Sequence, residues 1–247
     1  ELLQWLPGIS TEGLKAVTGF TDAVTEDARL VLRLLAEAQR QGAVTRNYTR
    51  VAALERPTNE PWQVTLEDHH TVPGANRTLT ANAVINATGA WADRLQSGDT
   101  SDNTMHIRPL RGSHLVLPWS CLPVSCSVSL FHPEDGRPVF AFPWLGTTVL
   151  GTTDLDHEGN LDQEPVISGT ETAYLLEIAS RLFPGSPITR DDILSTWAGV
   201  RPVVTDGTGK APSKENREHE LRHDRGLVSI AGGKLTTSRV IAREALT

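Results

Sequence analysis

Apolar residues recur along this chain at two spacings, and each spacing predicts its own kind of element. Between about Glu26 and Gln41, Leu30, Val31, Leu34, Leu35 and Ala38 fall on one helical face. Glu26 and Asp27 suit the positive amino end of that helix, and Gly42 suits its stop. Ala43-Val44-Thr45 and Arg50-Val51-Ala52-Ala53-Leu54 predict strands, which would make the helix a crossover between parallel or mixed strands. Alternation in Trp62-Gln63-Val64-Thr65-Leu66 and Arg77-Thr78-Leu79-Thr80-Ala81, around a polar loop from His69 to Asn76, predicts a hairpin. The run Ala83-Val84-Ile85-Asn86 then reads as a buried strand ended by Thr88-Gly89, with a short helix from Trp91 to Leu95. In an open α/β sheet ligands sit at the carboxyl ends of strands, so this turn is a candidate binding edge. Any strand-to-helix connection needs a glycine, and the turn alone does not decide.

After an acidic, serine-rich connection from Ser97 to Asn103, the texture changes to short strands punctuated by Gly and Pro. Ile107 to Pro118, Val139 to Trp144, Thr147 to Asp154 and Asp192 to Val204 predict a largely antiparallel sheet, interrupted by a helix from about Glu171 to Leu182. This second layer is α+β in type. Near the end, Leu227-Val228-Ser229-Ile230-Ala231 predicts a strand and Gly232-Gly233 a turn. A helix follows through Val240, Ile241, Ala242 and Ala245, capped by Thr236 or Thr237. Adjacent glycines allow positive φ and close approach of a ligand, and the first helical amides offer unpaired donors. The same pattern also serves as a plain connection.

Composition narrows the classes. With 247 residues the chain can form one domain or two, and a formal net charge of -7 argues against nucleic acid as a partner. No apolar run approaches the ~20 residues of a membrane span. Cys121 and Cys126 are too few for a disulfide framework or a thiolate metal site. The chain opens without methionine and stops while its last helical pattern is running, which predicts an excised piece. Two polar residues stand inside apolar strands: His114 among Leu110, Leu115, Val116 and Leu117, and Arg201 among Val200, Val203 and Val204. Either could be structural alone. With Lys234 they would supply a base of near-neutral pKa and cations suited to an anionic substrate. No HExxH or GxSxG pattern is present, so metal or serine-nucleophile chemistry has no support.

The ordered set Asp27-Ala28-Arg29-Leu30, Asn86-Ala87-Thr88-Gly89-Ala90-Trp91, Arg111-Gly112-Ser113-His114, Gly151-Thr152-Thr153-Asp154, Trp197-Ala198-Gly199-Val200-Arg201-Pro202 and Gly232-Gly233-Lys234-Leu235-Thr236-Thr237 resembles the aerobic, membrane-associated FAD-dependent glycerol-3-phosphate dehydrogenases over nearly the whole chain. The resemblance implies a D-amino-acid-oxidase-like flavoprotein fold, with a partial Rossmann-like FAD domain packed on a mostly antiparallel substrate domain. It divides the chain into 21–104 (FAD domain), 1–20 with 105–225 (substrate domain) and 226–247 (returning FAD-domain strand, turn and helix). It also implies hydride transfer from C2 of sn-glycerol 3-phosphate to the flavin, giving dihydroxyacetone phosphate, with electrons passed to quinone by an enzyme peripheral on the inner face of the cytoplasmic membrane.

Residue by residue, the resemblance makes His114 the acceptor of the C2 hydroxyl proton and Arg201 the cation at the substrate. Arg217 becomes a further substrate arginine, and Lys234 a positive charge near substrate and flavin. Val51, Ala87, Thr88, Gly89, Gly232, Gly233, Lys234, Leu235 and Thr236 would line FAD. The family's opening GxGxxG segment, which holds the pyrophosphate, and its carboxyl-terminal helical domain have no counterpart in these 247 residues. The isolated chain is therefore expected to bind FAD weakly or not at all, to lack turnover, and to expose sheet edges that favour self-association. Two alternatives stay open: a related amino-acid or hydroxy-acid oxidoreductase, and a non-catalytic substrate-binding remnant.

Overall fold

The computed structural model describes residues 2–70, 75–95, 105–185, 187–205 and 218–247. The chain divides into two units, Lys15–Val84 and Glu1–Leu14 with Ile85–Thr247. The larger unit opens with α1 (Leu2–Trp5), and the smaller holds α2 (Asp27–Arg40), β1 (Thr49–Glu55), β2 (Trp62–Asp68) and β3 (Ala75–Ala81).

In the smaller unit β1-β2-β3 is an antiparallel sheet, with Trp62 opposite Ala81 and Val51 opposite Leu66. The ladder slips between Val51 and Ala53. The hairpin expected from the alternation is present, and the helix lies where its apolar period put it. The crossover between parallel strands is not: every pairing of this sheet is antiparallel. Ala43-Val44-Thr45 forms no strand, because no neighbour offers it a ladder, and Val44 is left 81% exposed.

The larger unit continues through β4 (Val84–Asn86), a 3₁₀ helix (Gly89–Leu95), β5 (Ile107–Pro118), β6 (Val128–Phe131), β7 (Pro138–Trp144), β8 (Thr147–Gly151) and β9 (Leu155–Asp156). Then come α3 (Gly169–Leu182), β10 (Ser195–Val204), β11 (Glu220–Asp224), β12 (Leu227–Ala231), a 3₁₀ turn (Leu235–Thr237) and α4 (Ser238–Glu244). Of β4 only Asn86 is buried, so the expected buried strand is a short, half-open one.

Six strands form one sheet in the order β10-β5-β8-β7-β6, with β9 added beside β5, and all its pairings are antiparallel. Period-2 alternation gives this sheet two distinct faces. Leu115, Leu117, Val139, Ala141 and Leu150 pack on Leu175, Ile178 and Ala179 of α3 to make the main core. His114 and Val116 point to the other face. The second sheet, β11-β12-β4, carries a hairpin whose turn residues Arg225 and Gly226 both have positive φ, as a two-residue turn of the right twist requires. Thr237 does precede α4, but its hydroxyl makes no cap to the helix and instead bonds the main chain of Lys234.

Candidate functional site

The ladder registers set Trp197, His114, Gly151 and Phe140 in one row across β10, β5, β8 and β7 on the face away from α3. Two residues further along β10 come Gly199 and then Arg201, with Gly112 opposite Gly199. The glycines decide what this face can hold. A Cβ on Gly151 would lie 2.4 Å from Cδ2 of His114, so the imidazole rests directly on the β8 backbone. A Cβ on Gly112 would lie 2.5 Å from Nη2 of Arg201, so the guanidinium folds over β5 toward His114. Above Gly199 the space is open to 4 Å.

Arg201 is clamped. Its Nη1 donates to Oδ1 of Asp154 at 2.8 Å and its Nη2 to the Thr152 hydroxyl at 3.1 Å, while Arg137 donates to the Asp154 carbonyl at 2.6 Å. His114 stacks on Trp197 with ring centroids 4.3 Å apart and 18° between planes. Burial first, and then the Arg201 charge, lower its pKa from 6.5 to about 4. Nδ1 is buried without a hydrogen-bond partner among the described residues. The ring is thus neutral at physiological pH, with Nε2 the nitrogen suited to take a proton.

Behind this face, on the core side, Glu171 ties the two motif strands together. Its Oε1 accepts from the Ser113 hydroxyl at 2.8 Å and the Thr153 hydroxyl at 2.7 Å, and its Oε2 from Arg111 at 2.7 Å and the Ser168 amide at 2.8 Å. Burial alone would raise its pKa; the Ser168 amide, the Thr153 and Ser113 hydroxyls and Arg111 outweigh that and hold it down to about 2. Sequence reasoning missed Glu171, although Ser168 and Glu171 have the spacing of a capping box. Nothing local announces that its carboxylate also reaches Ser113 of β5 and Thr153 just after β8, 58 and 18 residues away.

The two glycine turns share one edge. Asn86, 2% exposed, accepts from the Thr88 hydroxyl at 2.7 Å and donates to the Ala92 carbonyl at 2.8 Å, which shapes the turn after β4. It also reaches Ser229 of β12 at 3.4 Å, and Ala92 packs with Ala231 and Met105. Ala87 and Thr88 on one turn, and Lys234, Leu235 and Thr236 on the other, are exposed. Gly89, with φ 62°, faces open space. Gly232 and Gly233 take φ 73° and 82°, but a Cβ on either would strike the Glu218 carbonyl or the Ile241 side chain. Their freedom therefore serves the packing of the turn itself. Val51 lies in the smaller unit, half-buried at the β1 bulge. Arg217 falls outside the described residues. Among those residues no group of three His, Cys, Asp or Glu could hold a metal ion, and no helix is long and apolar enough to cross a membrane.

The open sheet face carries a neutral imidazole and a clamped guanidinium, beside an edge of exposed glycine turns. The chain belongs to the FAD dependent oxidoreductases, whose family model matches residues 1–245. Within that family it is 37% identical over 243 residues to the aerobic glycerol-3-phosphate dehydrogenase of Bacillus subtilis, and 35% identical over 246 residues to the enzyme of the same name from Staphylococcus aureus (strain MRSA252). It covers 98% and 99% of itself in those matches and 43% of each relative, so it spans less than half their length.

The FAD complex of the Bacillus halodurans glycerol-3-phosphate dehydrogenase superposes with a TM-score of 0.86 at 33% identity, over 99% of this chain and 46% of that one. The fold is accordingly the D-amino-acid-oxidase-like flavoprotein fold that the motifs led one to expect. L-alpha-Glycerophosphate oxidase from Mycoplasma pneumoniae, with FAD bound, shares that fold at a TM-score of 0.69 and 20% identity, over 100% of this chain and 62% of its own.

Proposed function

We propose that this chain carries the substrate face of an enzyme that oxidises sn-glycerol 3-phosphate to dihydroxyacetone phosphate on FAD and passes the electrons to quinone. The observation that carries the reading is the neutral His114 imidazole held beside the clamped Arg201 guanidinium, with open space over Gly199 between Arg201 and Trp197. FAD, when bound, supplies the two-electron acceptor for the C2 hydride.

His114 takes the C2 hydroxyl proton on Nε2. Desolvation and the neighbouring cation keep that nitrogen unprotonated beforehand. Arg201, fixed by Asp154 and Thr152, has donors left for the phosphate or for negative charge growing on the C2 oxygen. Lys234 adds positive charge near substrate and flavin. The exposed turns Ala87-Thr88-Gly89 and Gly232-Gly233-Lys234-Leu235-Thr236 fit a cofactor edge, being open at Gly89 and rich in main-chain donors. Val51 supplies a main-chain contact to adenine. In domain terms 21–104 and 226–247 serve the cofactor, and 1–20 with 105–225 the substrate. The enzyme sits peripherally on the inner face of the cytoplasmic membrane.

The test is turnover of the FAD-loaded full-length protein on glycerol 3-phosphate beside glycine and a small 2-hydroxy acid. Oxidation of the phosphate substrate alone is the expected result. Preference for a carboxylate substrate would replace this reading by an amino-acid or hydroxy-acid oxidoreductase.

A further inference from the structure

A base that abstracts a proton in an active site is ordinarily oriented by a hydrogen bond to its other nitrogen. His114 has none: Nδ1 is buried and unpartnered among the described residues. What the ring does have is a layer on each side. Trp197 lies directly across the ladder and stacks on one face at 4.3 Å and 18°. The bare backbone of Gly151 meets the other.

We infer that Trp197 is the positioning residue of this site, the wall that fixes the plane of His114 and keeps water off one face of the ring. Trp197 is suited to that role because it is not core. It is 53% exposed and stands on the sheet face opposite α3, so its indole is there to cover its neighbour and not to fill the interior. Cross-strand aromatic pairs of this kind contribute through mutual contact on one face. The charges around the ring are Arg201 from β10, itself paired with Asp154 beyond β8, and on the core side Glu171 from α3 with Arg111. None of these touches a ring nitrogen, so removing the indole changes the ring's solvation and freedom without removing a partner. Deletion of the wall lets water reach the imidazole and lets the ring leave its plane.

The inference rests on reading His114 as the proton acceptor, and its test has one arm that does not. In the 247-residue chain with nitrogen-labelled histidines, the His114 titration is followed by NMR in wild type, W197F and W197A. In W197A the midpoint moves up toward the ordinary 6.5, and in W197F, which keeps a ring in place, it stays near the wild-type value of about 4. Thermal melting checks that both fold; should W197A melt, W197L keeps apolar volume without the ring and carries the same comparison.

In the FAD-loaded full-length protein, W197A lowers kcat about ten-fold or more, leaves KM for glycerol 3-phosphate within about two-fold, and moves the acid limb of the kcat pH profile upward. An unchanged His114 midpoint together with an unchanged acid limb in W197A overturns the inference. Absence of glycerol 3-phosphate oxidation by the wild type would sink the functional reading instead, and the NMR midpoints would still decide the role of Trp197.

Discussion

Glu171 shows how a single residue can set the geometry of a site it never enters. It is 1% exposed and makes hydrogen bonds to Ser113 and Thr153, the residues next to His114 and Thr152. Replacing a buried, fully satisfied carboxylate with an amide leaves Arg111 inside without its countercharge, and E171Q is expected to cost about 3 kcal/mol of stability in urea unfolding. His114 and Glu171 also predict how stability falls with acid. The His114 pKa drops from 6.5 to about 4 on folding, so the unfolded chain binds a proton there that the folded chain refuses. Its contribution is complete above pH 6.5 and is lost as pH falls toward 4. For Glu171 the fall is from 4.5 to about 2, and its contribution disappears between those values. H114N should flatten the upper window and E171Q the lower one when unfolding is followed across pH. Identical pH curves for wild type and H114N would contradict the buried, neutral imidazole.

At the scale of elements, the site is made by glycines placed opposite functional side chains on neighbouring strands. Gly112 gives its space to the ends of the Arg201 and Thr152 side chains, 2.5 and 2.6 Å from its would-be Cβ, so alanine there breaks their contact without meeting backbone, whereas Gly151 gives its space to the His114 ring and lies 2.9 Å by its would-be Cβ from the Ser113 carbonyl. Alanine at these positions should therefore separate folding from function. G112A is expected to keep a melting temperature close to wild type while weakening substrate binding, read as a raised KM in the full-length protein. G151A must move ring or backbone and should lower both stability and turnover. If both variants melt like wild type and turn over normally, the sheet face is not where the substrate binds.

Much of this layer was legible beforehand, since His114 and Arg201 each interrupt an apolar strand beside glycine, and strand alternation gives their faces. Three features were not. Ser113, one partner of Glu171, lies 58 residues away in the chain, and Ala43-Val44-Thr45 looks like a strand because propensity says nothing about whether a hydrogen-bonding neighbour exists. Trp197 reads from sequence only as a strand aromatic; its stack on His114 appears once the register pairs them.

For the molecule as a whole, the two glycine turns and the sheet face of His114 and Arg201 belong to the same unit, joined where Ala92, Met105 and Ala231 pack with Ile107 and Val204. The family and the fold were readable from six short motifs because their order, more than any one of them, is specific. In the smaller unit, helix α2 carries Val31, Leu32, Leu34 and Leu35 with none of its residues buried. An amphipathic helix with an open apolar stripe seeks a partner. The 247-residue chain alone is expected to self-associate as its concentration rises, seen by light scattering, and to bind FAD weakly, seen as flavin lost on gel filtration.

In the proposed reaction His114 accepts a proton from glycerol 3-phosphate on a face where Arg201 holds the anion. Its most direct test is anaerobic bleaching of the FAD-loaded full-length protein by sn-glycerol 3-phosphate across pH, wild type beside H114N. Wild type should bleach quickly at neutral pH and slow as pH falls toward 4, and H114N should be slower by a factor on the order of 100 with that pH dependence gone. Bleaching by H114N at the wild-type rate, with the same pH profile, would rule out His114 as the proton acceptor.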